Sequence, residues 1–598
     1  MSTQETDSNQ DETRGRGAWS ALPFAFGLRR ALAKGYGLAE LRADVLAGMV
    51  VGVVALPLSM ALGIAVGVPP QHGLYTALVA GAAVALCGGS KFQVTGPTAA
   101  FVVVLAPIVT RYGLSGLLTA GFMAGVLLLA MGLGRFGRLM QFIPHPVTTG
   151  FTTGIATVIA TLQLEDVFGL EVGVMPEHFI DKLVALWRAR GTASVAELSV
   201  ALCTLALLTG LPRLTRKLPA PLLALSVVSL GVLGVRQLVP SVSIATIGSR
   251  FQTSVDGVVV RGIPPLLPSP TLPWGDGVSL ADVRELIPAA LAIALLGAIE
   301  SLLSATIADG MTGTKHDPNA ELVGLGVGNL LAPLFGGIAA TGALARTATN
   351  IRAGARSPIA AVTHSVVILF AIVFLAPWVA HVPMAALAAL LLLVAWNMSE
   401  LHSFLRVLKV APKSDVFVLS CCYLLTVFFD MVIAVSVGVV LAALLFMRRM
   451  AELTETRSLL GNGNGDGNGD ESPVVPLPPG VMLYEINGPL FFGAAQKAVG
   501  ALHAARRDDY SVMILSLAKV PVIDSTGLVA LDNAIGSLLR HRQAVVIAGP
   551  LPRPRRVFDK ADLSNKHPGL HLSESLDAAI RLAGELAAQR PQRGREVA

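Results

Sequence analysis

The chain has 598 residues, 53% of them hydrophobic and only 14% charged, whereas soluble domains carry about a quarter charged residues. With a mean hydropathy of +0.66, this much apolar surface cannot be hidden from water by folding alone, so a set of soluble domains is excluded and lipid is the medium. The net charge of +6 comes from basic residues set between apolar runs, which fits the positive-inside rule and not a phosphate-binding face, so nucleic acid is not the partner.

Residues 1–42 read as a cytoplasmic N-terminal segment whose first 20 residues are polar, without the apolar stretch of a cleavable signal. Residues 43–450 form a run of apolar segments. At roughly 20 apolar residues per crossing they hold about fourteen spans, several short or broken. With the amino terminus inside, the basic residues of the short loops, among them Arg135, Arg213, Lys315, Arg356, Lys413 and Arg449, fall on the cytoplasmic side together with both termini. The expectation is a multi-pass protein of a cell inner membrane. Cys87, Cys203, Cys421 and Cys422 all lie in apolar runs and read as small core residues, so neither a disulfide framework nor a metal site is expected.

Two places in this domain share an irregularity. A span interrupted by Pro57 precedes Val94-Thr-Gly-Pro-Thr-Ala-Ala-Phe101, and a span carrying Glu300 precedes Gly336-Gly-Ile-Ala-Ala-Thr-Gly-Ala-Leu-Ala-Arg346. Each reads as an extended Gly/Thr stretch leading into a short helix that starts within the membrane. Paired broken segments in two halves point to a transporter site at an inverted-repeat interface. Pro97 suits the first turn of one half-helix, since its missing N–H is an orphan there, and Thr341 or Gly342 suits the cap of the other. Each helix start exposes unpaired N–H groups and about half a positive charge. Two such ends make a site for an anion, lined by Pro97, Thr98, Ala99, Gly342, Ala343 and Leu344. Arg346 lies one turn into the second half-helix, leans back toward its start, and offers a fork to an oxyanion. The competing reading gives it a structural pairing with Glu300 or a place at the membrane surface.

Glu300 stands in Leu291-Ala-Ile-Ala-Leu-Leu-Gly-Ala-Ile-Glu-Ser-Leu-Leu-Ser304 with no other charge nearby. A carboxyl group there faces the protein interior, pairs with a cation or keeps its proton, which makes it the candidate for proton coupling. Ser304, four residues on and on the same helix face, is placed to hydrogen-bond it. The chain shows no Gly-x4-Gly-Lys-Ser/Thr loop, so transport must be passive or driven by an ion gradient, and neither an enzyme nor a cofactor is expected.

After Arg449 the composition changes. Residues 451–473 contain the Gly461–Asp470 repeat of Gly, Asn and Asp and read as a flexible linker. Residues 474–598 alternate strand and helix patterns, with strands at 481–486, 511–517 and 544–548 and helices at 528–539 and 576–587, as in a small α/β sandwich. Ser525 and Thr526 fall at a helix N-terminus, as capping residues and as candidate phosphoacceptors.

Together these residues resemble the SulP family, also called solute carrier family 26, anion transporters with a cytoplasmic STAS domain. Ala55-Leu-Pro-Leu-Ser-Met-Ala61 with Gly73-Leu-Tyr75 is similar to the family's first-span signature, which brings Ser59 to the site, and Val94–Ala100 to its third-span half-helix. Asp524-Ser-Thr-Gly527 matches the STAS loop phosphorylated in anti-sigma-factor antagonists. The resemblance implies 14 spans as 7+7 inverted repeats, a core domain moving against a gate domain, a homodimer, and an anion site at Arg346. It also implies a STAS domain open to a cytoplasmic protein partner. Gly297–Glu300, Asp309–His316 and Val394–Glu400 look closest to the bacterial branch that imports C4-dicarboxylates with protons. In cyanobacterial bicarbonate transporters of this fold an aspartate matching Glu300 and a threonine matching Leu344 help bind sodium, so the pair found here points to protons. The rival cargo is bicarbonate or sulfate, with sodium as the alternative coupling ion.

Overall fold

Helix follows helix from Leu38 to Glu452 because a backbone in hydrocarbon must satisfy its own hydrogen bonds. The computed structural model describes residues 24–589 except 34, 139–143, 174, 177, 215–218, 241, 256–257, 276–278, 430, 453–454, 461–475, 492–494, 496–499 and 501–509. Its principal elements begin with α1 (Leu38–Val66), α2 (Pro70–Cys87), the two-residue strand β1 (Thr95–Gly96), α3 (Ala99–Leu133), α4 (His145–Phe168), α5 (Val195–Leu214) and α6 (Ala220–Leu238). The second half holds α7 (Leu280–Thr312), α8 (Pro318–Leu334), β2 (Thr341–Gly342), α9 (Leu344–Arg352), α10 (Ile359–Phe374), α11 (Met384–Met398), α12 (Lys413–Phe428) and α13 (Met431–Glu452).

Fourteen similar spans do not appear as such. Among the described residues seven helices are long and apolar enough to cross a membrane alone, namely α1, α3 to α7 and the stretch Met384–Val410. Helices α8, α10 and α12 are shorter, at 16 or 17 residues. α3 is two helices joined at Gly113, where φ is 67°. Pro57 does not interrupt its span, since α1 runs unbroken through it for 29 residues, as membrane helices tolerate.

The helices sort into two bodies. α1, α2, α3, α7, α8, α9 and α10 pack on one another, and α4, α5, α6, α11 and α12 form the second body. Contact between the bodies runs mainly through α1 against α6 and α11 and through α3 against α4. This is the core-and-gate division expected.

The chain divides into two compact units within α13, at residues 439 and 440. The second is a five-stranded sheet in the order β3 (Glu455–Leu460), β4 (Val481–Asn487), β5 (Val512–Lys519), β6 (Ala544–Ala548), β7 (Leu570–Ser573). β3 pairs antiparallel and the other neighbours pair parallel. β3 lies within 451–473, so that stretch is not linker throughout, while Gly461–Asp470 lies outside the described residues. Helix α14 (Ser525–Arg540) covers one face, setting Leu531, Ile535 and Leu538 on Met513, Leu515 and Ile547. Helix α15 (Pro552–Lys560) adds Phe558 to that cluster, and α16 (Leu576–Ala588) covers the other face, with Ala579 and Ala583 against Ile514 and Val546. Strands covered on both faces read as continuous apolar runs, which is why 512–515 and 544–548 carry no polar alternation.

Candidate functional site

Two Thr-Gly dipeptides build the centre of the first unit. β1 and β2 pair antiparallel with Thr95 opposite Gly342 and Gly96 opposite Thr341, so a local two-fold relates the two dipeptides. The short helices follow at once, α3 from Ala99 and α9 from Leu344, one at each side of the ladder. Their starts differ from expectation. Pro97 lies ahead of the first turn of α3, whose cap is Thr98, and Ala343, not Thr341 or Gly342, stands at the cap of α9. The ladder accounts for the shift, because it holds Thr95–Gly96 and Thr341–Gly342 extended and delays both helices. Neither cap residue offers its side chain to its helix. Thr341 donates instead to the Gly297 carbonyl at 2.8 Å. Two helix starts therefore lack side-chain caps.

Arg346, one turn into α9, is 1% exposed. Its Nη2 donates to Ser59 Oγ at 3.2 Å and to the Pro97 carbonyl at 3.3 Å, so it reaches from the second half to α1 and to the start of α3. Nε and Nη1 have no hydrogen-bond partner among the described residues. A buried guanidinium with two empty donors is costly unless an anion fills them.

Glu300 does not pair with Arg346. Its Oε2 accepts a hydrogen bond from Thr98 Oγ1 at 3.0 Å, so the hydroxyl that might have capped α3 serves the carboxyl group of α7. Ser304 does not reach Glu300 either, and donates to Thr347 Oγ1 at 3.3 Å. The structure thus brings Ser59, Pro97, Thr98, Ala99, Gly342, Ala343, Glu300 and Arg346 to one centre, while Leu344 at the first position of α9 is 44% exposed. Sequence reasoning missed the layer behind it. Buried Glu321 accepts from Gly89 N and Ser90 N, each at 2.9 Å, from Gln93 Nε2 at 2.7 Å and from Ser301 Oγ at 3.3 Å. Gln93 lies against Gly342, and Ser301 follows Glu300. The signal was a lone acid in the first turn of α8, ahead of an apolar run.

In the second unit Ser525 and Thr526 are the first residues of α14, but the cap is Asp524, whose carboxylate accepts from Gly527 N at 2.6 Å. Ser525 is exposed.

A bundle of two helical bodies, with paired broken segments around a buried arginine and an appended parallel-sheet domain, is a multi-pass membrane transporter and not an enzyme. The model of the Sulfate permease family matches residues 41–422 and that of the STAS domain residues 472–579. The chain belongs to the sulfate permease family. It is 41% identical to the "Putative sulfate transporter YvdB" of Bacillus subtilis, over 91% of this chain and 98% of that protein. It is 30% identical to the "Bicarbonate transporter BicA" of Picosynechococcus, over 91% and 95%. Among solved structures, the murine Solute Carrier 26 family member A9 anion transporter shares the fold, with a TM-score of 0.81 at 18% identity over 97% of this chain and 98% of that one. The transmembrane domain of a cyanobacterial bicarbonate transporter BicA gives a TM-score of 0.58 at 28% identity, covering 67% and 98%.

Proposed function

We propose that the protein is a secondary active transporter that carries a small oxyanion with protons across a cell inner membrane. The body of α1–α3 and α7–α10 holds the anion and moves against the other body. Arg346 carries this reading, a buried guanidinium with two unfilled donors beside two uncapped helix starts. Pro97 to Ala99 and Gly342 to Leu344 line the site with Ser59. Glu300 carries the coupling proton, because no cation among the described residues pairs with it and Leu344 offers sodium no side-chain oxygen where the resemblance places a threonine. The similar proteins named as sulfate and bicarbonate transporters favour those cargoes, whereas a C4-dicarboxylate rests on three short motifs. Both termini lie in the cytoplasm, the chain works as a homodimer, and the STAS domain offers Ser525 to a cytoplasmic partner or kinase.

Uptake into proteoliposomes tests this, with a panel of unlabelled sulfate, bicarbonate and succinate as competitors. Arg346→Gln is expected to weaken anion binding at least about tenfold, the scale of a lost charge-assisted hydrogen bond in a dry site. Glu300→Gln is expected to keep anion exchange at equal pH and lose accumulation driven by a pH gradient. Unaltered affinity in the first removes Arg346 from the site, and unchanged pH dependence in the second removes Glu300 from coupling.

A further inference from the structure

A cavity of about 320 Å³ lies between the two bodies at the far ends of the helices that build the anion site. On α1 its lining runs from Ile64 to Val66 and on to Gly67, five to eight residues beyond Ser59. On α3 it includes Ala106 and Pro107, seven and eight residues beyond Ala99. At 1.5 Å per residue both place the cavity about 8–12 Å from the centre along each helix. The other body closes it with the end of α4.

Four charged side chains line this space, two of each sign, namely Glu165, Asp166, Lys182 and Arg250. Arg250 bridges both acids, Nη1 to Asp166 and Nη2 to Glu165 at 3.8 Å. It is held in place by a hydrogen-bonded turn. Ile247 N donates to the Val382 carbonyl at 3.0 Å and Gly248 N to the Ala380 carbonyl at 2.8 Å, in the segment that leads into α11. Ala245 N donates to Glu197 of α5 at 2.6 Å. Adjacent carboxylates at the mouth of an anion path repel what must enter, and a guanidinium between them offsets half of that charge.

We propose that Glu165, Asp166 and Arg250 form a charge filter at the outer mouth of the translocation path, in which Arg250, with Lys182 on the same lining, admits small dianions by offsetting the charge of the two carboxylates. The proposal rests on the transport reading and on its orientation, which puts this cavity outside. It concerns entry and not the central site, so it acts on KM and leaves the later steps alone.

The test is uptake of labelled sulfate and, separately, succinate by intact cells, read as KM and maximal rate at low and high ionic strength. Arg250→Gln is expected to raise KM about fivefold, the factor one unit charge exerts on a dianion nearly a Debye length away, with little change in maximal rate. Asp166→Asn is expected to lower KM, Arg250→Lys to retain the wild-type value, and high salt to compress all differences. A residue that only anchored the turn would lower the rate at every salt concentration and give no opposite sign between Arg250→Gln and Asp166→Asn. Should Arg250→Gln fail to reach the membrane, Asp166→Asn and Arg250→Lys still decide. KM values that stay fixed, or move together, overturn the filter while flux through the wild type leaves transport standing. A wild type that carries neither dianion overturns the filter, and one that carries neither of them nor bicarbonate overturns both.

Discussion

Arg346 keeps its place because its neighbour has no side chain. A Cβ built on Gly96 would lie 2.3 Å from Arg346 Nη1. What it meets is the far end of a flexible side chain, so the guanidinium can swing away while the backbone stays put. Gly96→Ala is therefore expected to fold, with a stability change under about 1 kcal/mol, and to lose anion affinity about as far as Arg346→Gln does. Thermal unfolding with and without anion separates the two effects, since the variant should melt like the wild type in buffer and gain nothing from the ligand. A charged residue inside an apolar run is easily found in sequence, and both Arg346 and Glu300 were. Ser59 and Pro97, 287 and 249 residues from Arg346, carry no such mark, and they entered only through the family resemblance and the paired broken segments. The i,i+4 spacing that set Ser304 beside Glu300 on one helix face said nothing of Thr347 on another helix, which takes that hydroxyl's hydrogen bond.

Between elements, backbone contact replaces side-chain contact. At the crossing of α1 and α2 a Cβ on Gly73 would lie 1.9 Å from the Ser59 carbonyl oxygen. Here the obstacle is main chain, and relief means moving a helix. Gly73→Ala is expected to cost about 2–3 kcal/mol and to displace Ser59 from Arg346, so this variant should lose stability and binding together, read as a lower melting temperature in detergent with broadened size-exclusion profiles. The contrast with Gly96→Ala tests whether close helix packing and the site are distinct demands on glycine. At this scale the two broken segments were legible as Gly/Thr stretches running into short helices. Their boundaries were not, because capping preferences act locally whereas the ladder between residues 95–96 and 341–342 is a pairing across the whole domain. Asp524 took the cap expected of Ser525 for a local reason, its carboxylate reaching Gly527 N three residues on.

At the scale of the whole molecule the composition changes after Arg449, ten residues past the division between the two units, and β3 escaped that reading. A six-residue edge strand pairs along one side only, and Glu455-Thr-Arg-Ser-Leu-Leu460 carries little of the apolar pattern that marks β5 and β6. Stability in the second unit also depends on charges that hydropathy ignores. Asp532 on α14 accepts from Lys566 and, at 2.7 Å, from His567, tying the helix to the segment that leads into β7. Burial pushes its carboxyl upward, but the hydrogen bonds and charges of Lys566 and His567 outweigh that and hold it below the usual carboxylate range. A carboxylate with a lowered value in the folded state stabilises the fold at every pH above its unfolded value, and that contribution disappears as the pH falls through the folded one. The STAS-domain transition of the detergent-solubilised protein should accordingly be flat near neutrality and weaken below the ordinary carboxylate range. Asp532→Asn should start about 1 kcal/mol lower at pH 7 and lose less on acidification, so that the two melting curves converge. Parallel curves at every pH would show that Asp532 contributes packing and not charge.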